Sequence, residues 1–533
     1  MNPWAYRQRP IAEPAALLLL ILAVGAALSR ELQAAVAQPL SLLTFEPGHF
    51  HAALFQREML PGVSERVHVY APLGPDLLAH LGRIAQFNTR KDNPTRWQLE
   101  VHTGPDFLER LLAERPGNVV VLSGNNRGKI DRIEAIVRAG LHVLADKPWI
   151  IELADLPKLQ AALDTAEQQG VVAFDAMTQR FEITCILQRE LVNDRDLFGT
   201  CLEGSVSEPA VHLESVHYLL KEVAGAPMRR PAWFFDIGQQ GEGLTDVGTH
   251  LVDLVQWTLF PKQAIEYGAD LHVLRGERWP TVLAREQFQR VTGERDLPDF
   301  LDDWRSGRQA ARSPKSEVSP SRSALRAGGR NLSEPERSPS RRPKSELKQS
   351  RLTPVATAND CLEYFCNNTV LYTLRGIHVR LDIKWDFEAP PDAKDTELAV
   401  FRGSKSRIEV RQEKENDFRP EVYVVPDRAE QRTEVHAALR KRIEALQKSY
   451  PGLSLEEQPG RLRVVIPDRY RVGHEAHFAL LSRLFLQYVR EPKSVPAWEK
   501  PNMLAKYYVT TKGVELARRR PSSQPARPTA SQP

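Results

Sequence analysis

From Leu40 onward the chain alternates short, mostly apolar runs with amphipathic stretches of helical length, and this rhythm narrows its fold more than any other feature. Leu40–Phe45, Val67–Tyr70, Val119–Leu122, Val143–Ala145 and Val171–Phe174 read as strands. Ala52–Met59, Lys129–Ala139 and Asp155–Gln169 read as helices between them. Strands without a polar face are covered on both sides, and strands joined through helices run parallel. The pattern predicts an α/β, Rossmann-like N-terminal domain over residues 38–176.

Beyond Asp175 the texture changes. Helices are expected at Glu182–Val192, Asp246–Phe260 and Glu434–Ser449, and β-forming residues dominate Thr369–Trp385, Leu398–Val410, Glu421–Val425 and Arg461–Ile466. That mixture predicts an α+β domain with a mainly antiparallel sheet, in two parts, 177–304 and 355–517. The intervening residues 305–354 are rich in Ser, Pro and Arg and poor in apolar side chains, so they are expected to be a disordered insertion, as is the tail 518–533.

Charge excludes one class of partner. The formal net charge is +4, but Arg305–Arg351 carries a net +9 and the tail adds four arginines, so the remaining body is acidic. A phosphate-backbone surface, and with it a nucleic-acid partner, is not expected.

At the N-terminus, Arg7 and Arg9 precede the apolar run Ala15–Leu28, followed by the small residues Ala35-Val36-Ala37. This reads as a signal peptide over residues 1–37, and so as export, in a bacterium to the periplasm; an uncleaved membrane anchor is the alternative. The run is about 14 residues against the roughly 20 that span a bilayer. Gln8 separates the two arginines, so the signal is not of the twin-arginine kind. The four cysteines, Cys185, Cys201, Cys361 and Cys366, suit neither a disulfide scaffold nor a CxxC zinc site; a single Cys361–Cys366 bridge and free thiols both remain open.

Several segments carry chemistry. The first strand leads into Glu46-Pro47-Gly48-His49-Phe50-His51, where a dinucleotide fold places G-x-G-x-x-G; only Gly48 remains of it. His49 and His51 either replace glycine-mediated contacts to a cofactor or are buried structurally. The second strand ends Tyr70-Ala71-Pro72 without the acid that takes ribose hydroxyls, so NAD and NADP are not distinguished. Ser123-Gly124-Asn125-Asn126 and Asp146-Lys147-Pro148 each follow a buried strand and fall at the carboxyl edge of the sheet. A desolvated lysine there can polarise a hydroxyl or carbonyl, although a solvated turn lysine has the same local sequence. Along Gly241–Asp253, helical spacing aligns Asp246, His250 and Asp253 on one face of an otherwise apolar helix. Such a polar stripe serves either a site or an internal hydrogen-bond network. Trp233 could stack on a sugar ring, and His474 and His477, three residues apart, lack a third ligand, so no metal is expected.

Asp146-Lys147-Pro148 resembles the E/D-K-P motif, and Gly241–Asp253 the G-G-G-x-x-x-D-x-G-x-H-x-x-D motif, of the glucose–fructose oxidoreductase/inositol dehydrogenase/MocA family. The turn P-G-H-F-H, the segment Arg230–Asp236 and the segment Gly473–Phe478 resemble a branch known as putative oxidoreductases with a distinct C-terminal domain. The resemblance implies an open-faced sheet domain that self-associates as a homo-oligomer. It also implies NAD- or NADP-dependent redox chemistry on a small-molecule carbohydrate, a sugar or polyol. It casts Lys147, Asp246 and His250 as catalytic, with His250 as general acid or base. Gly48, His49, Ser123, Asn125, Asp146 and Lys147 would then lie along the cofactor, and Trp233 and Asp253 against substrate. Glycoside cleavage through transient oxidation with bound NAD is a second reading, and a cofactor-free carbohydrate-binding protein a third.

Overall fold

The computed structural model describes residues 40–223, 226–294 and 361–519. The expected signal peptide, the basic insertion and the tail beyond Arg519 lie outside the described residues. Among those described, no helix is long and apolar enough to cross a membrane.

The N-terminal unit is a six-stranded parallel sheet in the order β3-β2-β1-β4-β5-β6. Its strands are β1 (Leu40–Phe45), β2 (Val63–Ala71), β3 (Gln98–Thr103), β4 (Val119–Leu122), β5 (His142–Ala145) and β6 (Ala173–Asp175). Helices α1 (His51–Phe55), α2 (Pro75–Thr89), α3 (Phe107–Glu114), α4 (Lys129–Arg138) and α5 (Leu156–Gln169) connect them. The order reverses between β1 and β4, which creates the crevice that doubly wound sheets use for ligands. Register levels the edge there: Phe45 pairs with Leu122 and Leu122 with Ala145, so Glu46, Ser123 and Asp146 leave the sheet side by side.

Four elements here differ from the sequence reading. The helix after β1 is shorter than expected, ending at Phe55. The segment α2-β3-α3 adds an edge strand that sequence did not reveal, because β3 (QLEVHT) is largely exposed and carries no apolar run.

Past the short helix α6 (Ile183–Val192) stands a nine-stranded sheet, β10-β11-β12-β7-β13-β14-β15-β17-β16, in which every neighbour is antiparallel except β12 and β7. It comprises β7 (Val211–Leu220), β10 (Leu271–Ala284), β11 (Cys361–Leu374), β12 (Ile377–Glu388), β13 (Thr396–Arg402), β14 (Ser406–Gln412), β15 (Glu421–Pro426), β16 (Ser454–Gln458) and β17 (Arg461–Val465); β8 (Glu222–Val223) and β9 (Ala226–Pro227) form a separate small hairpin. The stretch expected as one strand, Thr369–Trp385, is a hairpin. It turns at Arg375-Gly376, where φ is +49° and +84°, as a two-residue turn between right-twisted strands requires.

Helices α7 (Gly243–Asp246), α8 (Gly248–Leu259), α9 (Tyr267–Asp270), α10 (Arg285–Thr292) and α11 (Arg432–Leu446) accompany this sheet, and two long C-terminal helices, α12 (His474–Arg490) and α13 (Glu499–Arg518), return to the first unit. Val370, Leu381, Ile383 and Phe401 of the sheet pack with Val252 and Val255 of α8 and Val509 of α13. Met503, Leu504 and Tyr507 of α13 enter the core beside β4 and β5, while Phe478, Leu481 and Phe485 of α12 pack on the opposite side with Leu54 and Val67. All four cysteines are free thiols. Cys361 and Cys366 lie on the same strand at an odd spacing, so they point to opposite faces of the sheet.

Candidate active site

The site lies where the turns after β1, β4 and β5 meet the α7–α8 segment. The turns are laced by backbone bonds: His49 N–H donates to Ser123 O (2.8 Å) and Asp146 N–H to Leu122 O (2.8 Å). Gly124 permits this approach, since a β-carbon there would lie 2.6 Å from that of Glu46. Glu46, in place of the first glycine, takes φ +44° and sits 3.3 Å from Arg132 Nε. Burial raises its pKa, and Arg132 and Lys129 oppose that.

Asp146 is buried and receives two histidines, His51 Nδ1 at 2.9 Å from Oδ1 and His49 Nδ1 at 2.7 Å from Oδ2. Burial alone would raise its pKa, but the imidazoles of His51 and His49 hold the carboxyl well below the usual carboxylate range. Lys147, one residue on, forms a close ion pair with Asp246, both side chains being about nine-tenths buried. Burial would raise the Asp246 pKa, and the Lys147 ammonium more than offsets it. His250 is kept neutral, its pKa driven well below the ordinary value by burial and then by Lys147. Its Nδ1 is buried without a hydrogen-bond partner among the described residues.

Asn125 donates to Gln239 Oε1, and Asn126 Nδ2 to Gln240 O at 2.8 Å, so the segment after Asp236 is tied across the β4 turn. Ser123 is buried and contributes its backbone carbonyl. Trp233, in the one-turn helix Ala232–Phe235, donates from Nε1 to Asp76 Oδ2 at 2.9 Å. Both residues crowd the first turn: a β-carbon on Gly48 would come within 3.1 Å of Asp76 and 3.3 Å of Trp233.

Asp253 is a correction. The sequence placed it against substrate, but both of its oxygens accept from Arg180, each at 2.7 Å, and it is 3% exposed. Lys506 lies 3.6 Å away, and Arg180 also pairs with Glu499 at 2.8 Å. The aligned stripe therefore divides, with Asp246 and His250 at the cleft and Asp253 in a buried ionic network.

Sequence reading gave no role to two residues of the site, Asp76 and Lys129, and singled out a third, His474, without its partner. Asp76 starts α2, which was not recognised. Lys129 is buried, donating to Asp146 O at 3.0 Å, and burial lowers its pKa to about 8. His474 brings Nε2 to 2.9 Å from His51 Nε2, so the two histidine-bearing segments, 49–51 and 474–477, meet in space. Their shared histidine pattern was the available signal. His477 instead lies 3.3 Å from Glu182.

Comparison with known proteins agrees with this architecture. The sequence profile of the family described as "Putative oxidoreductase C terminal domain" matches residues 187–309 and 350–518. A crystal structure of a putative oxidoreductase from Parabacteroides merdae shares 38% identity, with 90% of this chain and 98% of that chain covered and a TM-score of 0.79. Structures of putative oxidoreductases from Thermotoga maritima (12% identity) and Erwinia carotovora atroseptica (11%) cover 90% of this chain and 98% of theirs at a TM-score of 0.51, and share the fold. No curated protein matches. Profile, relative and motifs coincide: the chain belongs to the glucose–fructose oxidoreductase/inositol dehydrogenase/MocA family of oxidoreductases, in the branch that carries this C-terminal domain.

Proposed function

We propose that the protein is an NAD- or NADP-dependent oxidoreductase that acts at a hydroxyl or carbonyl carbon of a sugar, polyol or glycoside. The observation that carries this reading is the Lys147–Asp246 ion pair beside a neutral His250 at the carboxyl edge of a doubly wound sheet. A nicotinamide group fits the edge at its reacting end. There His250 has a buried nitrogen without a partner among the described residues. Gly48, His49, Ser123, Asn125, Asp146 and Lys147 would hold it. At the phosphate end Glu46 stands where this fold usually offers glycine and Asp76 lies against Gly48, and burial raises both of their pKa values.

When bound, the nicotinamide ring supplies the hydride acceptor or donor. The chain's residues handle the proton and the geometry. Lys147, held in place by Asp246, donates a hydrogen bond to the reacting oxygen and stabilises negative charge on it. His250, neutral because of burial and Lys147, takes the hydroxyl proton at Nε2 in oxidation and returns it in reduction. Trp233 offers an indole face at the mouth of the cleft for a sugar ring. Export, and self-association through the open face of the sheet, belong to the same proposal.

Absorbance and mass spectrometry of the purified full chain, with NAD and NADP titrations, test the reading. Co-purified nucleotide or saturable binding is expected, with turnover of a sugar panel that falls on the order of 100-fold in Lys147→Met and in His250→Ala. A chain that neither carries nor binds either nucleotide overturns it.

A further inference from the structure

The histidines of the β1 turn do more than line a cofactor cleft. His49 Nδ1, His51 Nδ1 and the Asp146 carboxylate come together within 4.8 Å of one another. His51 and Asp146 are 4% and 5% exposed, while the His49 side chain is 35% exposed, so the cluster has a buried base and one open side. His49 Nδ1 lies 2.7 Å from Asp146 Oδ2, yet it has no aligned hydrogen-bond partner. Both imidazoles thus turn Nδ1 towards the two oxygens of one carboxylate, an arrangement that ligands of a shared cation also take.

His474 sharpens the point. Its Nε2 is 2.9 Å from His51 Nε2, at hydrogen-bond distance, so it braces the far side of the His51 ring. In the tautomer in which His51 donates to His474, His51 Nδ1 and Asp146 Oδ1 face each other as two acceptors 2.9 Å apart, a pairing that a cation would bridge; in the other, His51 Nδ1–H donates to that oxygen. The nitrogen–oxygen separations of 2.7 and 2.9 Å are shorter than the roughly 3.4 Å between ligands of a tetrahedral ion bound at ~2.1 Å, so the three side chains would open by about half an ångström around it.

We infer that His49, His51 and Asp146 form a divalent transition-metal site of the two-histidine, one-carboxylate kind, with His474 as the outer partner that orients the His51 ring. Two imidazoles and a carboxylate suit zinc and its first-row neighbours, and three protein ligands leave positions open for water or a hydroxyl-bearing ligand. Those positions face the exposed edge of His49, beside Lys147, whose charge Asp246 already matches. The other candidate clusters are spoken for: Asp382 of the His212–Glu214–Asp382 group accepts from Arg380 and Thr369, and His102 of the His68–Glu100–His102 group is bonded by Arg110. This inference stands apart from the nucleotide reading, since metal and nucleotide are measured separately.

The test uses the full chain freed of metal with a chelator, then titrated with Zn2+ by calorimetry and with Co2+ by visible absorption. About one ion per chain is expected, with Co2+ giving the d–d bands of nitrogen and oxygen ligation. Asp146→Asn and His51→Ala should abolish the site, and His474→Ala should weaken it roughly 10-fold or more, as loss of an outer partner does. His49→Ala changes a partly exposed side chain and serves if the buried variants fail to fold; it should lose binding while circular dichroism is unchanged. His68→Ala should bind normally. The inference is overturned if the parent chain takes up no Zn2+, or if His49→Ala and His51→Ala bind it as the parent does, which would leave a hydrogen-bonded histidine–carboxylate network only.

Discussion

Replacing Asp253 with asparagine separates a structural from a substrate-binding role for the last acid of the family motif. The side chain accepts two 2.7 Å bonds from Arg180, and Lys506 stands 3.6 Å away at 1% exposure. Breaking a buried ion pair costs about 3–5 kcal/mol. Here the lower end applies, because Arg180 keeps Glu499 at 2.8 Å and Lys506 keeps Asp175. Relief of repulsion from Asp253 lets Glu499, whose pKa burial raises, ionise more readily and recover part of the loss. The net expectation is a destabilisation of about 3 kcal/mol, or about 3 °C for a chain of this size from the per-residue unfolding entropy. Denaturant unfolding and calorimetry measure it. Arg180→Met combined with Asp253→Asn should cost clearly less than the sum of the single changes, because the two are one contact. Stability within ~0.5 kcal/mol of the parent, coupled with a fall in kcat/KM, would refute the structural assignment and restore Asp253 to the substrate.

Three further outcomes follow from the same packing. His80 is 1% exposed with both ring nitrogens unpartnered among the described residues, and burial lowers its pKa to about 4, so His80→Leu should stabilise the chain by about 1–2 kcal/mol in urea unfolding at pH 7. That advantage should grow on acidification from pH ~6.5 towards 4: the unfolded histidine gains a proton that the folded one refuses, so the parent loses stability across this window and the leucine variant does not. Asp246 and Asp253 have lowered pKa values, so their contribution is complete above the unfolded carboxylate value near 4 and is lost only as pH falls further, giving a second, more acidic step in thermal unfolding. Gly243→Ala would push a β-carbon to 1.9 Å from the Cys366 carbonyl oxygen and should sharply reduce soluble yield, whereas Gly74→Ala, with nothing within 4 Å, should not.

What sequence revealed and what it hid have a common physical basis. β1, β4 and β5 were legible because they are covered on both faces and mostly apolar, β4 (VVVL) wholly so. Lys147, Asp246 and His250 were legible because polar residues on apolar elements are costly enough to stand out. β3 was hidden because an exposed edge strand has no such contrast. α13 was hidden for the opposite reason. It is buried on most sides, with Asn502, Lys506, Thr510 and Thr511 buried among Leu504, Val509 and Val514, so it lacks the apolar stripe that marks a surface helix. The pairing of His51 with His474 spans 423 positions and depends on α12 returning to the first sheet, which no local pattern encodes.

α13 carries more of the site than any motif suggests, although none of its side chains has been placed against the reacting atoms. Trp149, two residues after Lys147, donates its backbone N–H to Tyr507 Oη at 3.1 Å, and Tyr507 also donates to Asp175 at 3.3 Å. On its other side Gly513 packs so closely on Leu244 that a β-carbon would come within 2.5 Å of it, two residues before Asp246. Next to Tyr507, Lys506 bridges Asp175 at the end of the parallel sheet and Asp253 on the helix that bears His250. Lys147 and its partner Asp246 come from different domains, and the same helix fixes both. A shift of about 1 Å between such groups is enough to cost a hydride-transfer site much of its rate, so the length and burial of α13 are requirements of the chemistry as much as of stability.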